Sequence, residues 1–171
     1  HRVYEMNALV NMGLVYLDQN NLPPALTNLQ KGLDIAVAEN NISISATIYN
    51  NMGIAYKKMN RLPEALQHLQ KSVALAKQSN NQNALATSLN EVAKLYLAKN
   101  DYKKAQQYAA ESLTYSMPIK ALQWQSNAYQ ILSVALENQG KPADALAAYK
   151  NYILLRDSVM NDEKKQEIDR K

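Results

Sequence analysis

Apolar residues recur along this chain at helical spacing, in stretches of about 15 to 20 residues separated by short polar turns. The pattern predicts four pairs of amphipathic helices, at about 6–19 and 22–39, 43–59 and 62–79, 83–99 and 102–116, and 118–139 and 142–158. Within the pairs the turns are short: Asn20-Asn21, Asn60-Arg61, Asn100-Asp101 and Gln139-Gly140-Lys141. Longer connections are expected after Asn40, Asn80 and Ser116, where the chain passes to the next pair. Pro23, Pro63 and Pro142 fall in the first turn of the second helices, where a missing amide hydrogen costs nothing. Pro118 is expected to open the last long first helix in the same way.

The pairs are copies of one another. The segments NMGLVYLDQNNLPPAL, NMGIAYKKMNRLPEAL, EVAKLYLAKNDYKKAQ and ILSVALENQGKPADAL begin at positions 11, 51, 91 and 131 and align without a gap, so one pattern returns at a constant step. A repeat of this length reads as one helix pair stacked on its copies, because one pair cannot bury its own apolar stripe. Small residues recur where helices approach closely: Gly13, Gly53, Ala93 and Ser133 on the first helices, and Ala25, Ala65, Ala105 and Ala145 on the second. Tyr16, Tyr56, Tyr96 and Leu136 follow three residues later on the buried side of the first helices. Leu29, Leu69, Ala109 and Tyr149 are expected to do the same on the second.

Composition adds limits rather than a function. Among 171 residues, 47% are hydrophobic, with 5 Pro, 4 Gly and no Cys, which suits a packed helical domain and removes thiolate zinc sites and disulfides. The net charge of +4 is spread along the chain, whereas a nucleic-acid binder concentrates it on one face. No apolar run is long enough to span a bilayer.

These positions resemble the tetratricopeptide repeat, in a long-helix variant. The first copy supplies Leu9, Met12-Gly13, Tyr16, Ala25, Leu29 and Gly32, and the second Tyr49, Met52-Gly53, Tyr56, Ala65, Leu69 and Ser72. The third and fourth copies are degenerate. The resemblance covers about 6–158 and implies an all-α fold, a right-handed superhelical array of antiparallel helix pairs, with a repeat domain over 1–158 and a charged helical exit segment over 159–171. A second resemblance lies at Arg156-Asp157-Ser158 and Asn161-Asp162-Glu163-Lys164. It is similar to the exit from repeat sensor regions of Bacteroidetes membrane-bound histidine kinases and helix-turn-helix regulators of the LuxR type. It implies a periplasmic part of an inner-membrane protein, with a membrane span downstream. A cytoplasmic scaffold or adaptor is the alternative.

On the family geometry the first helices line a concave groove that takes a protein or peptide ligand. Its lining is expected to include Asn7 and Val10, Thr47, Asn50, Ile54 and Lys57, Asn90 and Lys94, and Gln130 and Val134. Asn50, Asn90 and Gln130 stand at one equivalent position, and amides there could hold a peptide backbone. Lys57 and Lys94 would take acidic groups, while Val10, Ile54 and Val134 offer apolar contact. The family's carboxylate clamp is not reproduced: its positions fall at Val10 and Leu14, at Asn50 and Ile54, and, in reversed order, at Asn90 and Lys94. Homodimerisation through the array edge or the C-terminal helix is a further partner reading.

Catalysis is not expected. A nucleophile, a base and an orienting group are needed, and the two histidines, His1 and His68, stand apart from any such set. His68 is expected to be structural. No metal-binding or phosphate-loop motif occurs, and no cofactor is implied.

Overall fold

The computed structural model of the chain describes the backbone of residues 2–169 and, among them, all side chains except those of 162, 163 and 165–169. Regular structure among the described residues is α-helical: α1 (Arg2–Asp18), α2 (Leu22–Ala38), α3 (Ile42–Lys58), α4 (Leu62–Gln78), α5 (Gln82–Ala98), α6 (Tyr102–Ser116), α7 (Leu122–Asn138) and α8 (Pro142–Asp169). Their first residues, 2, 22, 42, 62, 82, 102, 122 and 142, advance by one constant step. The sequence repeat therefore carries a structural repeat of half its length.

The cause lies in the helix ends. Asn20, Asn40, Asn60, Asn80 and Asn100, and then Lys120 and Gly140, all have positive φ, from 51° to 72°. Each donates its amide to the carbonyl three residues back, and the next residue donates to the carbonyl five back. Asn20 to Leu17 (3.1 Å) and Asn21 to Tyr16 (2.8 Å) are the first instance. This double closure satisfies the orphan carbonyls of a helix end and needs a left-handed residue, which Asn tolerates better than other non-glycine residues. At the opposite ends, the Asn41, Asn81 and Asp101 side chains accept the amides of Ile44, Ala84 and Lys104 at 3.0–3.1 Å. Pro23 and Pro63 occupy the first turns of α2 and α4, and Pro142 opens α8.

Two expectations about connections are corrected. The links after Asn40 and Asn80 are no longer than those within pairs, because the same cap closes both kinds of turn. Pro118 does not open α7, which begins at Leu122. It lies just past the end of α6 and has no amide hydrogen to give to the Thr114 carbonyl. That stops α6 at 15 residues, where its predecessors have 17. At the other end α8 runs through the expected boundary at 158, a single helix of 28 residues.

The chain divides into two compact units, His1–Glu91 and Val92–Lys171, with the boundary inside α5. In the first, Met6, Leu29, Leu33, Ala36, Ile48 and Met52 form one apolar cluster. Leu17, Leu22, Ala25 and Ala55 form another. Gly13 and Gly53 sit at close crossings: a Cβ on Gly53 would stand 2.6 Å from Leu69 Cγ, and one on Gly13 2.7 Å from Leu29 Cγ. Ser72 is fully buried and ties three helices together, donating to the Ala46 carbonyl (2.6 Å) and meeting the Ser88 hydroxyl (2.7 Å). In the second unit Ala93, Ala105, Ala109, Ala128 and Ala135 are fully buried, and Tyr96 stacks on Tyr108 at 5.4 Å. Ser133 and Ala145 are buried as well, but Tyr149, expected in the core, is 49% exposed. A phenol is too large for the place that Leu29 and Leu69 fill beneath a glycine.

Candidate protein-binding surface

The first helices of the first unit carry most of the expected groove residues. Asn7 and Thr47 are exposed. Val10 and Ile54 are half-buried, Val10 against the Met6–Leu29 cluster and Ile54 against the Leu17–Ala55 cluster. Asn50 and Asn90 are 6% and 1% exposed. At those levels neither amide faces outward, so two of the three expected rungs of the amide ladder are not on the surface. The reason is packing: the surrounding helices enclose both side chains, Asn90 fully and Asn50 nearly so. The Asn50 Oδ1 is buried without a hydrogen-bond partner. Lys57 is also not available as expected, because its ammonium pairs with the Glu91 carboxylate, which is itself mostly buried. Nearby, Lys58 Nζ donates to the Leu17 carbonyl at 2.9 Å, a cation at the negative end of α1.

In the second unit Lys94 is half-buried, whereas Gln130 is exposed and Val134 is 40% exposed. The surface that survives is thus Asn7 and Thr47 with the flanks of Val10 and Ile54 in one unit, and Gln130 and Val134 in the other.

His68 is half-buried and packed against two tyrosines. Its ring lies 4.7 Å from that of Tyr56 and 5.9 Å from that of Tyr49, and Nδ1 lies 2.8 Å from the Glu64 carbonyl of its own helix. A ring nitrogen facing a carbonyl must be the protonated one, so Nδ1 donates. Arg61 stacks on Tyr56 at 4.9 Å and binds Glu64 through Nε and Nη2. That hydrogen bonding holds the Glu64 carboxyl below its ordinary range.

One surface escaped the sequence reading. On α1, Tyr4, Met12 and Val15 are 82%, 48% and 53% exposed. The equivalents of Met12 in the later copies are Met52, Val92 and Leu132, at 3%, 1% and 9%; those of Val15 are Ala55, Leu95 and Ala135, at 0%, 1% and 0%. In α3 such residues pack against α2. The first copy therefore leaves open a face that later copies bury, and a crevice of about 390 Å³ lies along it, lined by Asn11, Met12, Val15, Tyr16 and Gln19. The signal was present in the register of the repeat, which says which face of each first helix must be covered.

The comparisons agree with this architecture. The family model described as tetratricopeptide repeat matches residues 44–116. No curated protein matches the sequence. Among solved structures, the chain is similar to the apo form of RapI, with 16% identity, a TM-score of 0.84, and coverage of 95% of this chain and 59% of that one. It is similar to BtubC from P. vanneervenii, with 16% identity, a TM-score of 0.80 and coverage of 94% and 66%. It is also similar to aspartyl phosphate phosphatase F from Bacillus subtilis, with 12% identity, a TM-score of 0.87 and coverage of 93% and 42%. The chain thus spans between 42% and 66% of the length of these relatives, and the likeness is one of fold. The fold is an all-α array of helix pairs, and residues 44–116 match the tetratricopeptide-repeat family.

Proposed function

We propose that the chain binds another protein or a peptide, without chemistry of its own, through surfaces that its first helices provide. The observation that carries the reading is the array of helix pairs itself, whose first helices present accessible side chains at Asn7, Thr47, Gln130 and Val134. Apolar side chains at Met12 and Val15 are exposed at positions whose copies are buried to within a few per cent. Exposed apolar surface of this kind, rimmed by Asn11 and Gln19, is what a packed helix covers, as α2 covers Met52 in the second copy. Asn7 and Thr47 in the first unit, and Gln130 and Val134 in the second, are accessible first-helix residues that offer amides, a hydroxyl and an aliphatic contact. The experiment is a selection from a random-peptide display library against the chain. Enrichment of a shared sequence that binds the purified protein supports the reading; repeated selection without any saturable binder overturns it.

The finer reading is a periplasmic sensor or interaction region of an inner-membrane histidine kinase or transcriptional regulator. It is supported by the resemblance at Arg156-Asp157-Ser158 and by α8, which continues past the repeat to Asp169. In the other part of that resemblance, Asn161-Asp162-Glu163-Lys164, the side chains of Asp162 and Glu163 lie outside the described residues. No described helix is long and apolar enough to cross a membrane. Protease added to spheroplasts expressing the full-length protein separates the readings. Cleavage of the array from outside supports the sensor, whereas protection until lysis supports the cytoplasmic scaffold or adaptor, whose partners would include a second copy at the array edge or the C-terminal helix.

A further inference from the structure

The fourth repeat breaks a rule that the first three obey. On the second helices, Gly32, Ser72 and Ser112 share one position, and Ala36, Ala76 and Ser116 another four residues on. Ser72, Ser112, Ala36, Ala76 and Ser116 have no exposed surface at all. At Gly32 even a Cβ would stand 3.0 Å from Val10 Cγ2. In α8 the same two positions hold Tyr152 and Arg156. Side chains of that size cannot enter a contact built for a hydrogen or a methyl group. They stand beside the early turns of α7, where both helices line a cleft of about 170 Å³.

The lining of this cleft is chemically one-sided. From α7 come Gln123, Ser126, Asn127 and Gln130, at the i, i+3, i+4, i+7 spacing of one helix face. From α8 come Tyr152, Arg156, Val159 and Met160. Among the described residues of this lining none is acidic, and one is a guanidinium, itself paired with Asp157. Arg156 lies over the Tyr152 ring at 5.8 Å and holds Asp157 Oδ1 through Nε (3.1 Å) and Nη2 (2.8 Å). A guanidinium has five N–H donors, more than Asp157 and the Tyr152 side chain engage, which leaves capacity for another acceptor. Stacking on a phenol limits the orientations the guanidinium can take. Gln123 Nε2 donates to Asn127 Oδ1 at 3.3 Å, which leaves the Asn127 NH2 as a second donor.

We infer that this cleft is a binding site for a carboxylate carried on a peptide partner. One cation and several neutral donors suit a monoanion better than a phosphate dianion. The volume admits a carboxylate with a short aliphatic arm, and Val159 and Met160 offer that arm an apolar wall. The inference rests on the protein-binding reading for the origin of the carboxylate, and it names the chemistry of the partner. The carboxylate could be an acidic side chain or a chain terminus, which the groups recognise alike. Neither Tyr152 nor Arg156 stands at a position of the family's clamp.

The test is an NMR titration of the 171-residue protein, with backbone amides as reporters and two probes: N-acetylglycine for a chain terminus and N-acetyl-glutamate amide for a side chain. N-acetylglycinamide is the uncharged control. The expected result is saturable shifts confined to the neighbourhood of Gln123, Asn127, Gln130, Tyr152 and Arg156 with one or both acids and none with the control; the better acid identifies the source. Arg156→Gln should weaken binding at least about tenfold. Asp157→Asn should tighten it, because it removes the carboxylate that competes for the guanidinium. Arg61→Gln, in the second repeat and outside the cleft lining, should change nothing. Shifts that are absent, scattered or unaltered by Arg156→Gln overturn the site. If the cleft fails while display-selected peptides still bind, only this inference falls. If the acids bind but no peptide is ever selected, the protein-binding reading falls instead.

Discussion

Single side chains set how closely the helices approach. Gly53 lies under Leu69 and Gly13 under Leu29, with no room for a Cβ at either place. In the third repeat the equivalent residues are Ala93 and Ala109, so a methyl group gained on the first helix accompanies three carbons lost on the second. That exchange predicts coupling. Gly53→Ala alone should destabilise by about 1–3 kcal/mol through overpacking, and Leu69→Ala alone by about 2–5 kcal/mol through loss of buried volume. The double variant should be less destabilised than the sum, measured by urea unfolding; strict additivity would mean the two side chains do not meet. Asn50 makes a second residue-level case. Its Oδ1 is buried with no partner, and an unsatisfied buried acceptor costs about 1–3 kcal/mol. Asn50→Leu is therefore expected to hold or raise the melting temperature, and a fall of several degrees would show that the amide is satisfied in solution.

Helix ends decide the length and register of each element. The left-handed asparagines Asn20, Asn40, Asn60, Asn80 and Asn100 stand at one constant step and close their turns in the same way. Asn60→Ala should cost about 1 kcal/mol, because alanine pays the full steric penalty of that backbone conformation. Asn60→Gly should cost nothing, and thermal melts of the two variants would show the difference. The asparagine series was visible in the sequence, and so were the Pro positions at Pro23, Pro63 and Pro142. The half-period stayed hidden because the first and second helices of a pair share caps but not side-chain pattern, so only whole pairs align with one another. Pro118 was misassigned because a proline that begins a helix and one that ends the helix before it look alike locally. The amide ladder failed for a related reason. A period tells that Asn50, Asn90 and Gln130 are equivalent, but burial depends on the neighbouring helices, which leave the first two inside and the third exposed.

Across the whole molecule, the copies stop being equivalent in exposure as well as in sequence. Interior copies bury the residues at the Met12 and Val15 positions; α1 exposes them. Met12→Lys should thus leave stability within about 0.5 kcal/mol of the parent. Met52→Lys, at the equivalent buried position, should cost several kcal/mol because it forces an unpaired charge into the core. Circular-dichroism melts of the pair check this, and equal losses would mean that the α1 face is covered. The same logic marks Tyr152 and Arg156 in the last copy, where large side chains replace small ones. The central claim, that first-helix surfaces bind a protein partner, is tested most directly by the affinity of a display-selected peptide for variants at exposed sites. Met12→Arg, Thr47→Arg and Val134→Arg should include at least one that weakens binding about tenfold or more, about 1.4 kcal/mol. Lys31→Glu and Gln67→Arg, on the second helices, should bind as the parent does. Full affinity in all three first-helix variants, with loss in a second-helix variant, would contradict the account.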